Sequence, residues 1–147
     1  MIIRSLRAPL VALVAFFALV LAPAFALDPA TDIAAAEARH KMSTGDLILV
    51  DVREPAEWQQ TGIAEGATTL SMNDPQFLLK IMQIETENPG KQIGFICASS
   101  RRSGLVQAEL ARRGFTNTVS VFGGMTGNGQ VPGWIAEGLP TVPYTGQ

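Results

Sequence analysis

The stretch that decides the fold reads IGFICASSRRSG and occupies residues 93–104. Its first four residues are apolar without alternation, which is typical of a strand buried on both faces of a parallel sheet. Small and basic residues follow, and we expect a helix to open at Ser103 and to run to Arg113, before the glycine at 114. The stretch therefore predicts a strand–loop–helix unit with Cys97 at the carboxyl end of the strand.

Similar units occur on both sides of this one. Apolar or β-branched runs predict strands at 47–50, 68–71 and 119–122, and capping residues or helical spacing predict helices at 31–42, 55–60 and 75–85. A further short helix is expected near Trp134. Strands that alternate with helices indicate βαβ units. We therefore predict an α/β fold, a single domain with a mostly parallel central sheet, helices on both faces, and a core spanning about 32–142.

The first 26 residues predict a cleaved signal peptide. Arg4 and Arg7 precede an uncharged stretch over residues 8–27, which contains the small-x-small sequence AFA at 24–26. The alternative is an uncleaved membrane anchor, because 20 uncharged residues are just enough to span a bilayer. We favour cleavage after Ala26, since the strongly apolar part ends before that site. The expected location is periplasmic or secreted.

The mature domain would cover residues 27–147 and carry a formal charge of −4, because the removed segment holds two basic residues and no acidic ones. Its scattered basic residues do not indicate a nucleic-acid partner. Once the signal peptide is removed, we expect no stable membrane association. One histidine and one cysteine do not suggest a metal site, and we expect no metal and no cofactor.

Cys97 is the only cysteine of the chain. A lone cysteine is a buried inert thiol, an intermolecular link or a reactive nucleophile. Its surroundings favour the third interpretation: a helix N-terminus follows, Arg101 and Arg102 add positive charge, and short side chains let the backbone curl into a cradle of amide donors. We expect these features to favour the thiolate, with no histidine needed to deprotonate it.

Cys97-x-Ser99-x-x-Arg102-Ser103 resembles the active-site loop of rhodanese domains, in which four residues separate the cysteine from Arg-Ser. Further pieces of sequence resemble the family's other motifs in the same order, at residues 51–58, 62–67 and 114–140. Two departures occur. Ser100 stands where the loop commonly has glycine, and the histidine expected in the turn near Gly62 is missing.

The resemblance implies an exported, single-domain sulfurtransferase of the thiosulfate sulfurtransferase type. Cys97 would take the outer sulfur of a small anionic donor such as thiosulfate, and its persulfide would pass that sulfur to cyanide or a thiol. The expected substrate-binding residues are those of the loop: Ala98, Ser99, Ser100, Arg101, Arg102 and Ser103. Asp51 and Arg53 are interpreted as a supporting pair that holds neighbouring loops.

Two other functions stay open. A non-catalytic persulfide carrier of a periplasmic pathway would use the same Cys97 but turn over poorly with small donors. Cysteine phosphatases and arsenate reductases have a similar fold and loop, but five residues separate their cysteine from the arginine. Ser103 occupies that position here, and the arginine comes one residue earlier. The shorter loop favours a sulfur atom over a tetrahedral oxyanion.

Overall fold

The computed structural model describes residues 32–146, so the predicted signal peptide lies outside the described residues. Within that range no helix is both long and apolar enough to cross a membrane. In chain order the elements are β1 (Asp32–Ile33), α1 (Ala35–Thr44), β2 (Leu47–Asp51), α2 (Pro55–Thr61), β3 (Ile63–Ala64), β4 (Thr68–Thr69), α3 (Phe77–Glu87), β5 (Gln92–Ile96), α4 (Arg101–Arg112), β6 (Thr118–Val121) and β7 (Thr141–Val142).

Five of the strands form one parallel sheet in the order β1-β6-β5-β2-β4, and β3 and β7 form a separate antiparallel pair. Asp51 of β2 lies beside Ile96 of the central strand β5. The carboxyl ends of these strands therefore meet at one edge, where open parallel sheets place their binding sites. The predicted α/β fold with a mostly parallel sheet is confirmed.

The sheet separates two apolar cores, because successive side chains of a strand point to opposite faces. Ile96 packs with Ala35 and Ala38 of α1 on one face. Phe95 and Cys97 lie on the other face, in a core that also includes buried residues of α3 and α4: Ile81, Val106 and Leu110. Helices thus cover both faces, as predicted, and Cys97 faces α4.

Three local predictions are wrong. The helix α4 begins at Arg101 rather than Ser103, so the two arginines belong to its first turn. The helix predicted to begin at residue 31 begins at Ala35, because Asp32 pairs with Ser120 as part of β1. The segment around Trp134 forms turns instead of a helix. There the indole Nε1 donates to the Pro140 carbonyl, six residues along the chain, at 2.9 Å.

Candidate functional site

The loop between β5 and α4 consists of residues 97–100. Ser100 ends it in the left-handed conformation, with φ 75° and ψ −16°, and is the only non-glycine residue with positive φ between residues 32 and 146. This conformation costs an L-residue about 1 kcal/mol and is free for glycine. The backbone therefore keeps a glycine-type turn at the position where the resemblance leads one to expect glycine. Serine in place of glycine raises the conformational energy of this turn but leaves the path of the backbone unchanged.

Backbone donors of this loop are left unpaired by the protein. None of the N–H groups of residues 98–103 donates to another residue of the described chain, and the first to do so is Gly104, to the Ser100 carbonyl at 2.9 Å. Three of these groups belong to the first turn of α4, a helix of 12 residues. Unpaired N–H groups at a helix N-terminus favour a negative charge. Cys97 lies directly before this group of donors.

The thiol itself is almost fully buried, with Cys97 1% exposed. Ser103 Oγ lies 3.5 Å from Cys97 Sγ, so the first turn of α4 brings a hydroxyl to the sulfur. The segment after β6 holds the loop from the other side. Met125 N donates to the Cys97 carbonyl at 2.8 Å, and Thr126 N donates to the Ala98 carbonyl at 2.9 Å.

Gly124 makes this close approach possible. A Cβ at Gly124 would lie 2.5 Å from both the Cys97 and the Ala98 carbonyl oxygens, and its φ is +59°. A side chain there would collide with backbone atoms of the loop and cannot be accommodated without moving them. The glycine that follows β6 is therefore a structural part of the site.

Arg102 does not point freely into the loop. Its Nη1 donates to Glu57 Oε2 at 2.7 Å, and its Nη2 donates to Glu57 Oε1, so the pair is bidentate. The hydrogen bonds from Arg102 lower the pKa of Glu57, and the same carboxylate raises the pKa of Arg102. Glu57 thus neutralises much of the positive charge that Arg102 is expected to add beside Cys97.

Glu57 has a second role in α2. It accepts a hydrogen bond from Glu54 N at 3.0 Å, which forms one half of a capping box at the start of that helix. The sequence shows the capping box, because a carboxylate at the third helical position is its usual sign. It shows no sign of the contact with Arg102, which is 45 residues away in the chain.

Arg101 is exposed on the first turn of α4. Within residues 32–146 no carboxylate forms an ion pair with it. The positive charge that remains unneutralised at this end of α4 is therefore that of Arg101. Arg101 is one of the substrate-binding residues that the resemblance implies, and this role stays a prediction.

Asp51 and Arg53 form a fully buried ion pair at the carboxyl end of β2. Arg53 Nη2 donates to Asp51 Oδ2 at 2.7 Å and to the Gly62 carbonyl at 2.8 Å, and Nη1 donates to Thr61 Oγ1 at 2.7 Å. These bonds tie the loop after β2 to the end of α2. The supporting role expected of this pair stays a prediction, and no hydrogen bond of the described residues links the pair to the sulfur.

Ser120 was not singled out by the sequence. It lies in β6, is fully buried, and its Oγ is 3.0 Å from Ser103 Oγ. A serine in an apolar strand carries no local signal of this contact, which depends on how α4 packs over the sheet. Among the described residues, no group of three or more histidine, cysteine or acidic side chains is placed to hold a metal ion.

The pair of Glu57 and Arg102 predicts a pH-dependent contribution to stability. Because the folded pKa of Glu57 lies below its ordinary value of 4.5, the contribution is complete above that value and is lost as the pH falls through the folded pKa. Glu57→Gln should therefore be less stable than the native chain at pH 7, and the difference should shrink below about pH 4.5. Urea unfolding midpoints of both proteins across this range measure it.

Glu65→Gln is the matched control, because Glu65 pairs with Arg39 on an exposed surface. Its unfolding midpoint should differ little from that of the native chain at any pH. A constant difference between Glu57→Gln and the native chain from pH 7 to pH 3 would contradict the assignment of this ion pair.

The chain is similar to several known proteins. Residues 34–128 match the sequence profile of the rhodanese-like domain. A sulfurtransferase of Allochromatium vinosum is 30% identical over 103 residues, which cover 70% of this chain and 85% of that protein. An uncharacterised protein of Rickettsia prowazekii is 33% identical over 98 residues, covering 63% of this chain and 80% of the relative.

A solved structure is similar as well. The crystal structure of a rhodanese-related protein from Thermoplasma volcanium is 25% identical, covers 78% of this chain and 99% of its own, and gives a TM-score of 0.57. The profile match spans more than half of the chain, the α/β topology agrees, and the cysteine loop lies at the expected edge of the sheet. The chain belongs to the rhodanese-like domain family.

Proposed function

We propose that this protein is a sulfurtransferase that carries sulfane sulfur as a persulfide on Cys97. The observation that supports it best is the run of unpaired backbone N–H groups over residues 98–103, which follows directly on the sulfur. A persulfide is an anion with its charge on the outer sulfur, and preorganised amide donors stabilise such a charge without reorganisation. The sulfurtransferase of Allochromatium vinosum among the relatives points the same way.

The reaction has two steps. The Cys97 thiolate attacks the outer sulfur of thiosulfate, a new S–S bond forms, and the old one breaks as sulfite leaves with its electron pair. Cyanide or a thiolate then attacks the outer sulfur of the persulfide and carries it away, which regenerates the thiolate. Neither step needs an oxidant or a cofactor, because each is a displacement at sulfur.

Different residues of the loop would have different roles in binding the sulfur donor. The amides of Ala98, Ser99, Ser100 and the first turn of α4 would receive the transferred sulfur, and the exposed Arg101 would attract the anionic donor. Arg102 would act chiefly through Glu57, by holding the first turn of α4 against α2. The resemblance, by contrast, implies that Arg102 itself is one of the substrate-binding residues.

A phosphatase or arsenate reductase function is disfavoured by the same contacts. Four residues separate Cys97 from Arg102, and the guanidinium is already held by a carboxylate. A phosphate ester needs a donor for each of three oxygens, and leaving buried polar groups unsatisfied costs about 1–3 kcal/mol. The persulfide carrier differs from the enzyme only in turnover, since both functions use the same sulfur.

Intact-mass measurement after incubation with thiosulfate tests the proposal. We expect a gain of one sulfur atom, and loss of that mass on addition of cyanide. Steady-state production of thiocyanate then indicates an enzyme, whereas a single stoichiometric transfer indicates a carrier. An aryl phosphate assay in phosphate-free buffer should give only background hydrolysis. Faster hydrolysis of the phosphate than transfer of sulfur would replace this proposal with the phosphatase function.

We also propose that the protein is exported and works in the periplasm or outside the cell. The support is the basic, apolar and small-x-small order of residues 1–26. The same mass spectrum, taken on protein from an exporting host, should show a chain that begins at Leu27. A full-length chain that remains in the membrane fraction would instead indicate an anchor.

A further inference from the structure

Two hydroxyl groups are buried together behind the nucleophile. Ser103 on α4 and Ser120 on β6 are both fully buried, and their Oγ atoms are 3.0 Å apart. Ser103 Oγ also lies 3.5 Å from Cys97 Sγ and 3.1 Å from the Ser100 carbonyl oxygen. Ser103 thus connects the sulfur of Cys97 on one side with Ser120 of the central sheet on the other.

The number of protons determines the direction of these hydrogen bonds. Each hydroxyl has one proton to donate. Within the described chain, the side chain of Ser120 has one hydrogen-bonding partner, Ser103 Oγ. If Ser103 donated to Ser120, the Ser120 proton would be buried without an acceptor, which is unfavourable. Ser120 is therefore the donor and Ser103 the acceptor in this bond.

The proton of Ser103 is then free for its other two neighbours. The Ser100 carbonyl accepts it while Cys97 is a neutral thiol. Once the thiolate forms, a bond to its negative charge is the stronger one, because charge-assisted hydrogen bonds exceed neutral ones. A donor whose oxygen already accepts a hydrogen bond is also polarised and donates more strongly. Ser120 thus strengthens the bond from Ser103 to the sulfur.

We propose that Ser120 is a positioning residue for Cys97, which acts through Ser103 to stabilise the thiolate. It touches neither the donor nor the reacting sulfur. The proposal deepens the function proposed above, because it concerns the same nucleophile, but it describes a property of the resting thiolate and does not depend on what the thiolate attacks.

The sheet explains why Ser120 lies where it does. Ser120 is directly opposite Phe95 in the parallel ladder of β5 and β6. Phe95 and Cys97 are two residues apart and point to the same face, the one covered by α4. Ser120 therefore lies under the first turn of that helix, one residue pair behind the sulfur, where only a small polar side chain can meet Ser103.

The test measures the rate at which iodoacetamide alkylates Cys97 as a function of pH, with no sulfur donor present. We expect Ser120→Ala to move the midpoint of the profile upward by about half a pH unit, which corresponds to an alkylation rate about threefold lower at acidic pH. Ser103→Ala should move it by about one unit. In the Ser103→Ala background, Ser120→Ala should add nothing, because its only route to the sulfur has been removed.

Thr118→Val is the matched control. Thr118 is buried on the same strand and binds Gln107 of α4, away from the sulfur. Loss of the Thr118 hydroxyl should lower the stability of the protein and leave the pH profile of Cys97 alkylation unchanged. If Ser120→Ala does not fold, Ser120→Thr and Ser120→Val replace it, since they have the same shape and differ in the hydroxyl. The threonine variant should keep the native midpoint, and the valine variant should show the shift.

Two results would overturn the proposal: a native midpoint in Ser120→Ala or Ser120→Val, or a shift that adds in full to that of Ser103→Ala. A separate assay of thiosulfate-dependent sulfur transfer keeps the two ideas apart. Shifted midpoints without any sulfur transfer in the native chain would leave the role of Ser120 intact and refute the sulfurtransferase proposal. Sulfur transfer by the native chain with unshifted midpoints in the Ser120 variants would refute the role of Ser120 and leave the sulfurtransferase proposal intact.

Discussion

Cys97→Ser should abolish sulfur transfer from thiosulfate to cyanide, with a fall in rate of at least about a thousandfold. A serine hydroxyl is hardly ionised at neutral pH, and its oxygen attacks sulfur far more slowly than a thiolate does. The chain contains one cysteine, so no second thiol can take over the reaction. Thiocyanate production measures the rate, and intact mass after thiosulfate should show no added sulfur.

The variant should stay folded, because serine is close to cysteine in size and can bind the Ser103 hydroxyl. Its urea unfolding midpoint should therefore be close to that of the native chain, which separates a chemical defect from a structural one. Sulfur transfer above a tenth of the native rate in this folded variant would rule out a Cys97 persulfide.

Arg53→Met should cost about 3–5 kcal/mol of stability, the usual loss when one partner of a buried ion pair is removed. The Asp51 carboxylate is fully buried and would lose its guanidinium partner. Thr61 and the Gly62 carbonyl would lose hydrogen bonds at the same time. Methionine fills a similar volume but supplies no donor. Urea unfolding monitored by tryptophan fluorescence measures the loss.

Two further variants test whether the stability loss in Arg53→Met comes from the buried ion pair. Arg39→Met removes an exposed ion pair and should cost less than about 1 kcal/mol. Adding Asp51→Asn to Arg53→Met should recover part of the loss, because the unpaired buried charge is then gone. An Arg53→Met variant as stable as Arg39→Met would show that the buried pair does not hold the loop after β2.

The sequence predicted the fold class because its signals are local. The apolar runs that form β2 and β5 have no polar alternation, which is typical of strands buried on both faces of a parallel sheet. Gly45 ends α1 in the left-handed conformation, as expected of a helix stop. Elements of two residues, such as β1 and the β3–β7 pair, have no such pattern. They exist because tertiary packing brings their backbones together.

The start of α4 is another feature that local sequence signals did not predict correctly. Ser103 and Gly104 look like a helix opening, yet the helix begins at Arg101, since the left-handed turn at Ser100 already sets its direction. The predicted helix near Trp134 failed for a related reason. The indole is fully buried and bonded to the Pro140 carbonyl, and this packing fixes turns in a segment bounded by glycines.

By itself the sequence determined the family resemblance, because that rests on short motifs in a fixed order along the chain. It also determined that the single cysteine stands at a strand end before small residues, because that pattern is local. Tertiary structure alone decided which side chains surround the sulfur. Glu57 binds Arg102, which is 45 residues away in the chain. The Ser120 hydroxyl, on the strand beside β5, lies within hydrogen-bonding distance of the Ser103 hydroxyl. Ion pairs and hydrogen bonds require atoms to meet within a few ångströms, and for groups so far apart in the chain only the packing of α2, α4 and β6 around β5 produces that proximity.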